Sequence, residues 1–287
     1  DAAFAQHTRK WRASVYCYPV VSRRSGGLSI GVNLNPDKAC NFDCIYCQVD
    51  RTTPSDVRKV DLAILDKELN DLIGAAISSE LFEIPPFNAL PADRRMIRDI
   101  AFSGDGEPTT CPQFADAVAL AAKARKRHSL DETKLVLITD ACYLAKPEVR
   151  TGLRVLDENN GEIWAKLDAG TQEYYEVVNR PNYPLGYVLA NIVATARERP
   201  IVIQSLWMKV HGEPPAKDEV IAYCDRLSEI IASGGRLKLI QLYTIARRTT
   251  ESYATSLADA ELDTIADLVR ARVDAPCVTY YGVQSTD

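Results

Sequence analysis

Three cysteines, Cys40, Cys44 and Cys47, stand at C-x3-C-x2-C spacing in the segment Lys38-Ala39-Cys40-Asn41-Phe42-Asp43-Cys44-Ile45-Tyr46-Cys47. Three thiolates on one loop can converge on one metal centre. Structural zinc closes a tetrahedron with four ligands, often as two C-x2-C pairs. No second pair exists here, and the three histidines, His7, His128 and His211, are all distant in sequence. A four-iron cluster held by three cysteines keeps one iron open, which suits reactive chemistry rather than electron transfer alone. Zinc with a remote fourth ligand, and three thiols without a metal, are the alternatives. The second candidate is Phe102-Ser103-Gly104-Asp105-Gly106-Glu107-Pro108-Thr109. Gly104 and Gly106 permit close backbone approach, and Glu107 can accept charge-assisted hydrogen bonds from an ammonium group. Its plain alternative is a Gly-Asp-Gly turn closing a strand.

Both loops need elements to hold them. Segments 28–35, 99–103, 134–139, 162–168, 201–208 and 237–245 have the length and β-branched content of strands. Between them, 61–79, 113–127, 147–156, 185–199, 217–233 and 259–273 carry apolar residues at helical spacing; Leu62, Leu65, Leu69, Leu72 and Ile73 share one face of the first. Strand followed by helix, six times, predicts a parallel α/β sheet. The cysteine loop follows the first of these strands and the glycine loop the second. One core domain is expected over residues 28–273, with an extension at 1–27 and a tail at 274–287 that includes a short strand-like piece at 277–282. Several strands alternate apolar with polar residues, as in Glu162, Trp164, Lys166 and Asp168 on one face of 162–168. Strands covered on both faces should be apolar on both, so a polar face predicts a ligand-filled lumen in a wide, incomplete barrel. A solvent-facing sheet or local ion pairs would give the same pattern.

The cysteine spacing after the first strand, with Tyr46 before the last cysteine, resembles the radical S-adenosylmethionine (SAM) superfamily. The Ser103–Glu107 loop resembles that family's Gly-Gly-Glu-Pro segment, which binds the amino group of the SAM methionine. The stretches 30–36, Lys166-Leu167-Asp168-Ala169-Gly170 and Asn179-Arg180-Pro181 resemble one branch, the wybutosine-tRNA tricyclic-base synthases and their bacterial relatives without an assigned reaction. Asp140 departs from that pattern, standing where many relatives have Asn, and there is no second cysteine cluster. The resemblance implies an incomplete (β/α)6 barrel and a [4Fe-4S] cluster on Cys40, Cys44 and Cys47. It further implies SAM bound by Tyr46, Ser103, Gly104, Asp105, Gly106, Glu107, Thr139 and Gln204. A flavodoxin- or ferredoxin-type donor would supply an electron, cleaving SAM to methionine and a 5′-deoxyadenosyl radical that takes hydrogen from a substrate. Lys166, Asp168, His211, Tyr243 and Arg247 are the candidate substrate and catalytic residues. A tRNA base-modifying enzyme is the alternative within this chemistry, and a non-catalytic iron–sulfur or zinc protein the alternative outside it.

Charge and composition narrow the partners. The 287 residues include 34 basic and 39 acidic, a formal charge of −5, with 46% hydrophobic. Disorder is excluded as the main state, and no apolar run reaches the ~18 residues of a membrane span. The balance favours a small molecule or peptide substrate over nucleic acid, because a phosphate binder shows basic excess. Only the short groups 9–12, 23–24 and 123–127 could build a basic surface. Residues 1–11 lack the apolar core of a signal peptide and an initiating Met, so a start further upstream is expected. The remaining cysteines, Cys17, Cys111, Cys142, Cys224 and Cys277, are too dispersed for a disulfide scaffold. Cytoplasmic location is the expectation that follows.

Overall fold

Each periodic segment of the sequence becomes the element its period predicts. The computed structural model describes residues 11–282. In chain order these hold β1 (Cys17–Ser22), β2 (Gly27–Val32), α1 (Leu62–Ile77), β3 (Ile97–Phe102), α2 (Phe114–Arg127), β4 (Lys134–Thr139), α3 (Pro147–Asp157) and β5 (Gly161–Lys166). Then come α4 (Gln172–Asn179), α5 (Leu185–Glu198), β6 (Ile201–Val210), α6 (Lys217–Ala232), β7 (Leu237–Thr244), β8 (Ala254–Ser256), α7 (Asp259–Arg272) and β9 (Cys277–Tyr280). All six expected strand–helix units are present. The expected extension at 1–27 and tail at 274–287, with His7 and the basic group at 9–12, run partly outside the described residues.

The described residues cluster into two compact units. The first takes the chain through Ala39, Arg51–Ile138 and Lys146–Ile163. Within it β1 lies antiparallel to β2, with Cys17 opposite Val32, and β2, β3 and β4 run parallel in that order. Asp61 caps α1 by accepting from Ala63 N and Ile64 N, and the helix buries Leu65, Leu69, Leu72 and Ile73 as its spacing predicts. The second unit holds Cys40–Asp50, Thr139–Ala145 and the chain from Trp164 onward. There the second half of β5 pairs in parallel with β6, β6 with β7 and β7 with β9, while β8 runs antiparallel to β6. Among the described residues no helix is long and apolar enough to cross a membrane.

Three differences from the sequence expectation have local causes. The strand expected over 28–35 ends at Val32, because Asn33 Oδ1 accepts from Asn35 N at 3.0 Å and turns the chain. The strand expected over 162–168 ends at Lys166: Asp168 Oδ1 takes the Leu206 N–H at 2.8 Å, so a side chain replaces the next ladder carbonyl. β6 runs on to Val210 because β8 pairs with its end. The polar strand faces also divide into two kinds. Near the strand starts they are closed locally: Lys134 pairs with Glu162 at 2.7 Å, and Ser29 donates to buried Asp99. These positions do not need a lumen ligand. The polar residues at the strand ends behave differently.

Candidate functional site

The cysteine loop is held in the second unit by backbone bonds and one apolar anchor. Asp43 N donates to the Asn179 carbonyl at 3.1 Å, Ile45 N to the Val178 carbonyl at 3.0 Å, and Asn182 N to the Asn41 carbonyl at 3.0 Å. Thus the C-terminal end of α4 and the turn after it run beside the loop. Ile45 is buried in a cluster with Val178, Leu206, Met208 and Ala254, on which Cys44 packs. Cys47 N closes a turn onto the Cys44 carbonyl at 2.9 Å, and the Cys47 carbonyl accepts from Thr250 N at 2.9 Å. Arg180 adds an outer clasp, reaching Asp43 at 3.3 Å, Glu251 at 2.8 Å and the Tyr253 hydroxyl at 2.7 Å.

Around Cys44 the strand ends contribute a buried polar network. Tyr46 donates its hydroxyl to Asp168, which is 2% exposed. Lys166 lies 3.4 Å from the same carboxylate, donates to the Tyr243 hydroxyl at 3.2 Å, and sits 4.9 Å from the centre of the Tyr46 ring. Gln204 donates to Gln241 at 3.4 Å and accepts from Tyr243 at 3.4 Å. Burial works against the Lys166 charge, but Asp168, Tyr243 and Cys44 together carry its pKa above the ordinary lysine value. Burial, then Asp168, push the Tyr46 hydroxyl up. Desolvation raises the Cys44 thiol to about 12, with Lys166 pulling the other way. A positive centre bound at the thiol would reverse that preference.

The cysteines fit an iron–sulfur group by their donor set. None of the three is in a disulfide, and all are half-buried on one loop. Among the described residues no group of three or more His, Cys, Asp or Glu stands arranged to hold a metal ion. A four-iron cube takes each thiolate on a different iron, and three cysteines of one loop supply that set.

The glycine loop belongs to the first unit. Gly104 has φ +154°, and a Cβ there would stand 2.6 Å from Asn33 Oδ1. A Cβ on Gly106 would stand 1.9 Å from the Ala39 carbonyl oxygen, which accepts from Glu107 N at 2.9 Å. Both glycines are therefore required by close approach. Asn33 donates to Asp105 at 2.7 Å and accepts from its backbone N at 3.2 Å. Glu107 is 3% exposed; its Oε1 accepts from Thr109 N at 3.1 Å and Thr109 Oγ1 at 2.5 Å, capping the single turn Pro108–Thr110. Ser103, half-buried, meets the Tyr18 hydroxyl at 3.3 Å.

The second unit thus brings together Cys44, Tyr46, Lys166, Asp168, Gln204 and Tyr243. Thr139 instead accepts from Ala141 N at 3.0 Å and shapes the turn after β4. His211 is an exposed turn residue at φ +53° whose ring stacks on Tyr253, centroids 4.3 Å apart. Arg247 lies half-buried beyond β7. Three contributors escaped the sequence assignment of roles. Asn179 donates to Cys44, Tyr46 and Asp168, Asn41 donates to Asp140 at 3.3 Å, and Arg180 forms the clasp. The Asn179-Arg180-Pro181 stretch was the available signal.

No known family profile matches the chain. Among curated proteins it is 24% identical over 268 residues to a protein named GTPase Obg from Brachyspira hyodysenteriae, covering 91% of this chain and 35% of that protein. It is 25% identical over 170 residues to a UPF0026 protein of Methanocaldococcus jannaschii, covering 58% of this chain and 44% of that one. A UPF0026 protein of Helicobacter pylori is 27% identical over 164 residues, 57% of this chain and 45% of its own length. The chain spans less than half the length of each of these relatives. Among solved structures it is similar to Streptococcus suis SuiB bound to S-adenosylmethionine, with TM-score 0.59 and 11% identity over 90% of this chain and 52% of that one. It is similar to TYW1 with a lysine–pyruvate adduct bound, TM-score 0.53, 12% identity, 87% and 74% covered. It is also similar to anSMEcpe with bound AdoMet, TM-score 0.53, 12% identity, 87% and 63% covered. These are radical SAM enzymes, and the chain has their fold, a partial (β/α)6 barrel. The fold expected from the resemblance is the fold observed.

Proposed function

We propose that the chain carries out radical SAM chemistry, with Cys40, Cys44 and Cys47 as the ligands of a [4Fe-4S] cluster. The observation that carries this is the set of three cysteines at C-x3-C-x2-C spacing on one pinned loop, none of them in a disulfide, in a chain with the radical SAM fold. Such a cluster, when bound with SAM and given one electron, supplies a 5′-deoxyadenosyl radical that takes hydrogen from a substrate.

The chain's own residues then have distinct tasks. Gly104 and Gly106 let the backbone of 104–107 lie close against Asn33 and Ala39, and Glu107 offers a carboxylate to the ammonium of SAM. Ser103 and Asp105 hold that loop through Tyr18 and Asn33. Tyr46 presents a ring for the adenine, its hydroxyl fixed by Asp168. Lys166, Tyr243 and buried Asp168 form the polar group that receives a substrate's polar atoms, and Gln204, hydrogen-bonded to Tyr243, stands beside them for SAM. Thr139 shapes the turn after β4, and His211 and Arg247 are the outer candidates for substrate contact. The substrate is a small molecule or a peptide, and a flavodoxin- or ferredoxin-type protein is the electron donor. The name of the Brachyspira relative does not transfer as GTP hydrolysis, because this chain contains no G-x-x-x-x-G-K-[ST] segment.

The test is anaerobic reconstitution followed by iron and sulfide counting in the wild type and in Cys40→Ala, Cys44→Ala and Cys47→Ala. Four irons per chain in the wild type, and loss of the cluster in each variant, is the expected result. A full cluster in any of the three variants would overturn the ligand assignment.

A further inference from the structure

We infer that Asn179 is a positioning residue that tunes the electron affinity of the metal group at Cys44; the inference rests on the cluster assignment above. Asn179 ends α4 and is fully buried. Its Nδ2 lies 3.4 Å from Cys44 Sγ, 3.1 Å from the Tyr46 hydroxyl oxygen and 2.9 Å from Asp168 Oδ2. Two hydrogens are thus shared among three acceptors. The orientation of the amide follows from its surroundings. The Tyr46 proton already goes to Asp168, so a carboxylate, a hydroxyl oxygen and a sulfur all present lone pairs to Asn179. A reversed amide would set its oxygen against all three.

The other end of the same side chain adds an independent observation. Asn179 Oδ1 is buried without a hydrogen-bond partner. A buried acceptor left without a protein partner marks a strained, functional or water-bound position. The fold keeps Asn179 for its N–H2, and one of those hydrogens is aimed at a thiol of the metal-binding loop.

The consequence has a definite sign. A hydrogen bond donated to a ligand sulfur stabilises the more negative, reduced form of an iron–sulfur group and raises its potential. Asp168 and Tyr46 compete for the same hydrogens, so they limit how much of the donation Cys44 receives.

The reconstituted wild type and Asn179→Leu would be compared by redox titration followed by electron paramagnetic resonance of the reduced cluster. Asn179→Leu is expected to keep its iron but to be about tenfold harder to reduce, a downward shift of about 59 mV for one electron. In wild type carrying asparagine labelled at the side-chain nitrogen, the reduced cluster should show a magnetic coupling to that nitrogen. This last measurement holds even where Asn179→Leu does not fold. An Asn179→Leu potential equal to wild type, or an unlabelled-like spectrum, would each overturn the inference. Failure of the wild type to take up iron would instead overturn the ligand assignment on which it rests.

Discussion

Glu107 would allow the observed capping duty and the proposed SAM-binding duty of one side chain to be separated. Both Thr109 bonds fall on Oε1, so a Gln can keep the cap by placing its amide oxygen there. Its nitrogen then replaces the second carboxylate oxygen and cannot accept from an ammonium. One hydrogen bond to a charged group is worth about 1.5–3 kcal/mol, or roughly ten- to 150-fold in Kd. Glu107→Gln is therefore expected to bind SAM that much more weakly, with little change in unfolding midpoint. Glu107→Ala loses the cap as well, which costs about 0.5–2 kcal/mol by analogy with helix N-caps. Calorimetric titration of SAM into the anaerobic reconstituted protein, paired with denaturant unfolding, reads both quantities. Unchanged SAM affinity in Glu107→Gln, or equal destabilisation in the two variants, would refute the division of labour.

Glu219 should be a structural clasp: it accepts from Gly170 N at 2.5 Å, Thr171 N at 3.2 Å and Thr171 Oγ1. Glu219→Ala strands those donors and is expected to lower stability by about 2–4 kcal/mol in urea unfolding; a change below 1 kcal/mol (about one ordinary hydrogen bond) would show that the turn relaxes freely. Gly106→Ala forces a Cβ against the Ala39 carbonyl, and a loss of about 1–3 kcal/mol is expected from overpacking, checked by the same assay. Burial, with Arg127 nearby, lowers the pKa of His128, whose ring nitrogen meets Asn70 Oδ1 at 2.9 Å. A lowered folded pKa gives stability that is present above pH ~6.5 and is lost as pH falls through the folded value. His128→Gln should flatten the stability profile in that acid range, and an unchanged slope would disprove the assignment.

Elements with a long, clean period were legible in the sequence, and short or tertiary features were not. β4 occupies the predicted residues, and α2 starts one residue inside its predicted span. The α4 helix escaped because eight residues give too little period to read, although Thr171 supplied a capping signal by accepting from Tyr174 N. β1 falls in the expected N-terminal extension, and its Pro19 fits a strand only where no ladder N–H is needed. Lys166 and Asp168 were visible as polar residues on a strand face, and they do join Tyr46. Glu162, on that face by the same alternation, pairs with Lys134 instead. Alternation reports which way a side chain points and says nothing of what meets it. Asn179 meets Cys44 across 135 residues of chain, a contact that no local pattern encodes.

The most direct measurement is the product analysis of SAM incubated anaerobically with the reconstituted, chemically reduced protein. The account predicts 5′-deoxyadenosine and methionine in equal amounts, formed only with reductant and absent from Cys40→Ala, Cys44→Ala and Cys47→Ala. A protein that carries its full cluster, accepts an electron and leaves SAM intact would contradict it.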